Sequence, residues 1–175
     1  AQPDGRLFNV DEMAGYRVHD ANGDTLYTSD SAHVERVNVA DRDYFKRLRD
    51  DPSAGLVFSE VLTGRSTGRQ VVVIARALRD ENGEFMGIAH GMLELAYYKK
   101  QFKALDLGSN GVAALRRSDT HGQVVRFPDV AVNTNKALPP DHPVVTGLAP
   151  GIKSLTLHYA SAPDHVARIM GIQVL

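Results

Sequence analysis

The stretch VVVIARALRDENGEFMGI, from Val71 to Ile88, decides how the chain is read. Its first five residues are apolar without alternation, the pattern of a central strand covered on both faces. Asn82-Gly83 then supplies the residue types that tolerate positive φ in a tight turn, and apolar character resumes at Phe85. A hairpin of two strands, Val71 to Leu78 and Glu84 to Leu95, follows. The same D-x-x-G spacing returns at Asp20-Ala21-Asn22-Gly23 and Asp119-Thr120-His121-Gly122. Strand-like flanks surround both turns: Tyr16 to His19 with Thr25 to Thr28, and Gly111 to Leu115 with Gln123 to Phe127. Three antiparallel hairpins are therefore expected. The segment Thr63-Gly64-Arg65-Ser66-Thr67-Gly68-Arg69 lacks the Lys-Ser/Thr ending of a phosphate loop and runs into a strand, not a helix. It reads as the connection between strands Leu56 to Leu62 and Gln70 to Leu78.

Further out, helical spacing predicts two helices. One spans Arg42 to Arg49, with Asp41 as N-cap and Tyr44, Phe45 and Leu48 on one face. The other spans Tyr97 to Leu107, with Tyr98, Phe102 and Leu105 opposite Lys99, Lys100 and Lys103, and Gly108 as its stop. Lys136 to Pro150 holds four prolines and is expected to be irregular, with one short helical turn. A polar turn leading into Met-Gly-Ile occurs twice, at Arg79 to Ile88 and at Ala162 to Ile172. That echo points to a duplicated α/β module whose second copy is shorter.

Composition narrows the function. With 175 residues, 43% hydrophobic and a formal net charge of −1, the chain has the makings of a buried core and is no disordered tail. The basic residues are dispersed, against a nucleic-acid groove, which needs clustered cations. The absence of cysteine excludes thiolate nucleophiles and Cys-ligated zinc or iron–sulfur clusters. The seven histidines form no H-x-x-x-H or H-E-x-x-H pattern, so no metal or cofactor is expected. No apolar run approaches the roughly 18 to 20 residues that span a bilayer.

Three places could carry chemistry. Arg42 sits beside Tyr44 and Phe45, where a planar guanidinium can hold a carboxylate between aromatic walls. The alternative is an Arg paired with Asp41 or Asp43 and aromatics that fill the core. Arg76 interrupts an apolar strand and must pair or line a cavity, holding either a ligand anion or a neighbouring strand's carboxylate. His90 is either a satisfied core residue or a ligand contact.

The segments NVADRDYF (38–45), SEVLTGRSTGR (59–69) and VIARALRDENGEFMGI (73–88) closely resemble the membrane-distal half of double Cache domains, PAS-like extracytoplasmic sensors of bacterial receptors. The segment from Ala96 to Gly122 resembles their connection into the membrane-proximal half. The resemblance implies an α/β (α+β) fold with antiparallel sheets flanked by helices in each module. Residues 1–96 would form the distal module, 97–110 a connecting helix and 111–175 a shorter, incomplete proximal module, without the family's long entering helix and closing strand. A small-molecule pocket is implied in the distal module, with Arg42, Tyr44 and Phe45 on the ligand-contacting segment, Ser59 on a pocket-side strand, and Arg76 and His90 on central strands. Amino-acid-binding members place an Asp where Met92 is the nearest match, and the surplus of arginine suggests an organic anion. The implied role is non-enzymatic sensing in the periplasm, as part of a membrane-anchored receptor that could form a homodimer. Its output would be a diguanylate cyclase, with a histidine kinase, a chemoreceptor or a ligand-free dimerisation spacer as alternatives.

Overall fold

The twin Asp-x-Asn-Gly segments build two nearly identical turns. In the first, Asp20 Oδ1 accepts the Asn22 and Asp24 N–H groups, both at 2.9 Å. In the second, Asp80 Oδ1 accepts those of Asn82 and Glu84 at 2.9 and 2.8 Å. Gly23 and Gly83 take φ of +85° and +83°, which glycine adopts without penalty. The computed structural model describes residues 13–29, 36–129, 133–148, 151–160 and 166–174. It divides into two compact units, 1–101 and 102–175.

In the first unit the two turns close hairpins of one antiparallel sheet. Its strands are β1 (Met13–Asp20), β2 (Thr25–Thr28), β3 (Val57–Thr63), β4 (Gln70–Arg79) and β5 (Phe85–Glu94), in the order β2-β1-β5-β4-β3. β4 lies between β5 and β3, and its residues Val71, Val72, Val73 and Ala75 are buried, as the unbroken apolar run requires. Helix α1 (Asp43–Asp50) lies on one face, where Tyr44, Phe45 and Leu48 join Val57, Val71, Val73, Ala75, Ile88 and Met92 in the core. Burying each of the larger aliphatic side chains contributes about 1.5–3 kcal/mol.

The helix begins one residue later than expected. Its N-cap is Arg42, not Asp41, and no side chain caps it. The Asp41 carboxylate is taken instead by Arg65, which binds it through two charge-assisted hydrogen bonds of 2.8 and 2.5 Å. Such a bidentate pair outcompetes a single capping bond to a backbone N–H.

Helix α2 (Leu95–Lys103) starts directly from β5 and stops short of the expected Leu107. Leu105 and Leu107 are exposed, so burial does not stabilise a further turn. In the second unit β6 (Ala113–Arg116) pairs with β7 (Gln123–Phe127), and His121 at the turn has φ +56°. The proline-rich segment contains the single helical turn α3 (Pro143–Gly147), with His142 as N-cap. β8 (Ser154–Ala160) pairs with β9 (Ala167–Gln173), which carries the second Met-Gly-Ile. The polar turn expected before it falls on 161–165, outside the described residues. Among the described residues the strands of this unit form two separate hairpins. No described helix is long and apolar enough to cross a membrane.

Candidate functional site

Register in the first sheet decides which side chains meet. Arg17 on β1 lies opposite His90 on β5, and His90 opposite Ala75 on β4. Strand side chains alternate, so Arg17, His19, Ile88, His90 and Met92 share the α1-covered face with Val71, Val73 and Ala75. β1 and β5 approach closely at Gly87, where φ is +134° and an added Cβ would lie 2.0 Å from the His19 carbonyl oxygen. A side chain there would force the two strands apart.

Between this face, the start of α1 and the β3–β4 loop lies a cavity of about 30 Å³. Val39, Val73 and Met92 form apolar wall, and the exposed Arg65 and half-buried Ser66 stand at its rim. Its polar lining includes Arg17, Arg42 and Arg65 together with His19 and His90, and no Asp or Glu among the described residues.

The three guanidinium groups are held differently. Arg17 is buried, and its Nη1 lies 2.9 Å from the Met92 thioether sulfur. Arg42 donates from Nη2 to the Thr63 carbonyl at 3.1 Å. Arg65 donates to Asp41 and to the Asn38 carbonyl. Hydrogen bonding to Arg65 holds the Asp41 carboxyl down at about 2. Asp41 therefore stays ionised and neutralises Arg65.

The two histidines lie deeper. His19 is 1% and His90 6% exposed, and their ring centroids are 4.9 Å apart. Nδ1 of His19 lies 3.1 Å from the Gly23 carbonyl oxygen, which fixes that nitrogen as the donor. Among the described residues, Nε2 of His19 and both ring nitrogens of His90 have no hydrogen-bond partner. An unsatisfied buried polar atom costs about 1–3 kcal/mol. Burial, reinforced by His19 and Arg17, pushes His90 down to about 3. Burial likewise lowers His19, against the bond to Gly23, so both rings are neutral at neutral pH. Tyr44 meets His90 edge-on at 5.9 Å, and burial raises its phenol to about 12.

Of the residues anticipated from sequence, Arg42, Tyr44 and His90 come together at this cavity. Arg76 does not. It pairs with Ala89 on the opposite side of the sheet from Ala75 and His90, and it is exposed, so no buried charge needs a partner. Phe45 turns into the core, edge-on to Phe85 at 5.5 Å. Ser59 sits in a β-bulge between Phe58 and Val61. There its hydroxyl accepts the Val73 N–H at 2.9 Å and donates to the Glu60 carbonyl at 2.6 Å, repairing the interrupted ladder and not lining the cavity. Arg17, His19 and Arg65 were not anticipated. The alternation Arg17-x-His19 in a strand was the available signal, since it puts both polar side chains on one face.

No family model matches the chain, and no curated protein matches it either. Among solved structures, the extracellular domain of the putative histidine kinase rpHK1S-Z16 superposes with a TM-score of 0.75 at 22% identity, over 91% of this chain and 64% of that one. The ligand-binding domain of the Pseudomonas fluorescens chemoreceptor CtaA, in complex with L-isoleucine, gives 0.59 at 21% identity, over 91% of this chain and 61% of that one. That of the Pseudomonas aeruginosa amino acid chemoreceptor PctC, in complex with GABA, gives 0.55 at 20%, over 97% and 74%. The chain thus spans somewhat under two thirds of the length of the first two. It has the mixed α/β, antiparallel-sheet fold of these extracellular sensor domains, the fold that the double Cache resemblance implies.

Proposed function

We propose that this chain is the extracytoplasmic sensing part of a membrane receptor, and that its first unit binds a small organic anion. The observation that carries the reading is a cavity lined by three arginines and two neutral histidines, without a carboxylate among the described residues. A bound anion would complement the guanidinium groups of the lining, and a partly buried guanidinium holds a carboxylate more strongly than water does. CtaA and PctC were solved with isoleucine and GABA, which also bear a carboxylate. Both carry an ammonium as well, and among the described residues the cavity lining holds no Asp or Glu to receive one.

Ligand binding would bias a cytoplasmic output domain by preferring one receptor conformation, and only differential affinity can do so. We take the output to be a diguanylate cyclase. A histidine kinase is the second reading, favoured by the likeness to rpHK1S-Z16.

Isothermal titration of the purified chain with a panel of small carboxylic acids tests the binding step. At least one acid is expected to bind, and Arg42→Ala is expected to weaken it at least tenfold, about 1.4 kcal/mol. Indifference of every binding acid to Arg42→Ala, or no binding at all, would rule this pocket out as an anion site.

A further inference from the structure

Resting on that anion reading, we infer that the ligand is a short aliphatic monocarboxylate with an unsubstituted tail of one or two carbon atoms. The inference comes from how the lining divides. At the outer end stand the half-buried Arg42 and the exposed Arg65. Arg42 gives one N–H of Nη2 to the Thr63 carbonyl, which leaves the rest of its fork for a carboxylate. Tyr44, in the first turn of α1 beside Arg42, adds a hydroxyl that can donate to the same anion. Farther in, Val39, Val73 and Met92 are buried apolar wall. His19 and His90 line this end too, but His19 Nδ1 is taken by the Gly23 carbonyl. Nε2 of His19 and both nitrogens of His90 have essentially no accessible surface, so the two rings meet the cavity through carbon. Arg17 is buried beside them, with its Nη1 on the Met92 sulfur.

An anionic head with a hydrocarbon tail matches this division. The carboxylate stays at the outer end on the Arg42 guanidinium, and the tail leaves water for the valines, the thioether and the carbon edges of the rings. A hydroxyl or ammonium on that tail would be carried against carbon and would lose its water partners, which opposes binding. Volume sets the length. An apolar cavity of about 150 Å³ holds benzene, with its six carbon atoms. At about 30 Å³, a fifth of that, this cavity has room for one or two. A second carboxylate or a longer chain exceeds it.

The test is isothermal titration of the intact chain at pH 7 with formate, acetate, propionate and butyrate, and with malonate, lactate and alanine as substituted counterparts. Acetate or propionate is expected to bind tightest. Acetate should exceed formate about fourfold, the effect of burying one carbon atom. Butyrate and the three substituted acids should each bind at least tenfold more weakly than the best acid. Val73→Ala lengthens the inner end and should bring butyrate to the level of propionate. A second readout needs no substitution: the methyl resonances of Val73 and Met92 should move with the best acid and not with formate. Equal binding along the series, or any other acid of the seven as the tightest, with sensitivity to Arg42→Ala retained, overturns the tail pocket and leaves the anion site standing. The same holds if none of the seven binds but a larger acid does. A preference for acetate or propionate that Arg42→Ala does not weaken places the binding elsewhere and overturns both readings, as does the absence of binding by any acid.

Discussion

His90 links the cavity to acid stability. Its folded value of about 3 lies below the 6.5 of an unfolded histidine, so between these limits the unfolded chain takes up a proton that the native one does not. Stability is therefore lost as pH falls from about 6.5, with a slope approaching about 1.4 kcal/mol per pH unit from this residue alone. His19 and His142, lowered chiefly by burial, act in the same direction. The depressed carboxylates Asp41 and Asp80 add their loss only below about 4, where unfolded carboxylates protonate. Urea midpoints measured at pH 7, 6 and 5 should fall steadily, and His90→Phe should flatten the trend. A midpoint that does not change across this range in the parent chain would mean that His90 takes its proton inside the fold.

At the scale of elements, α1 and the β3–β4 loop are fastened together at the cavity rim. Arg65 reaches Asp41 and Asn38, and Arg42 reaches back to Thr63. The Arg65–Asp41 pair is solvent-exposed, and exposed pairs contribute little to global stability. Its effect is on position. Asp41→Asn is expected to leave the melting temperature nearly unchanged while weakening binding of the carboxylic acid several-fold, as read by titration. A matched fall in both would make the pair a stability element only.

The elements also separate what was legible in the sequence from what was not. The hairpins were legible because each turn is closed by its own residues, as the Asp20 and Asp80 carboxylates show. The buried face of α1 was legible from helical spacing. Its first residue was not, because Asp41 is engaged by an arginine 24 positions away. Arg76 was misread for a related reason. An unbroken apolar run carries no alternation, so only pairing with β5 tells which parity faces α1. Arg17 and His19 become site residues through partners about 70 positions later, a relation that no local pattern encodes.

For the whole molecule, the division into two units bears on how it melts. The cavity belongs wholly to the first unit, which has a five-stranded sheet and its own core, whereas the second is described as two hairpins and a helical turn. A ligand stabilises only the structure that binds it, by about 2.7 kcal/mol at a hundredfold excess over Kd. Calorimetry is expected to resolve two transitions, with a binding acid raising one and leaving the other in place. One transition that moves as a whole would mean that the units unfold cooperatively.

The Gly23 carbonyl accepts both the His19 Nδ1 proton and the N–H of Val39, the latter at 2.9 Å. The imidazole of the floor and the loop that forms a wall thus hang from one oxygen. Whatever draws that loop outward also loosens the restraint on where the His19 proton resides. The shape of the cavity and the tautomer of the imidazole beside it are consequently a single variable, set at the turn of the first hairpin.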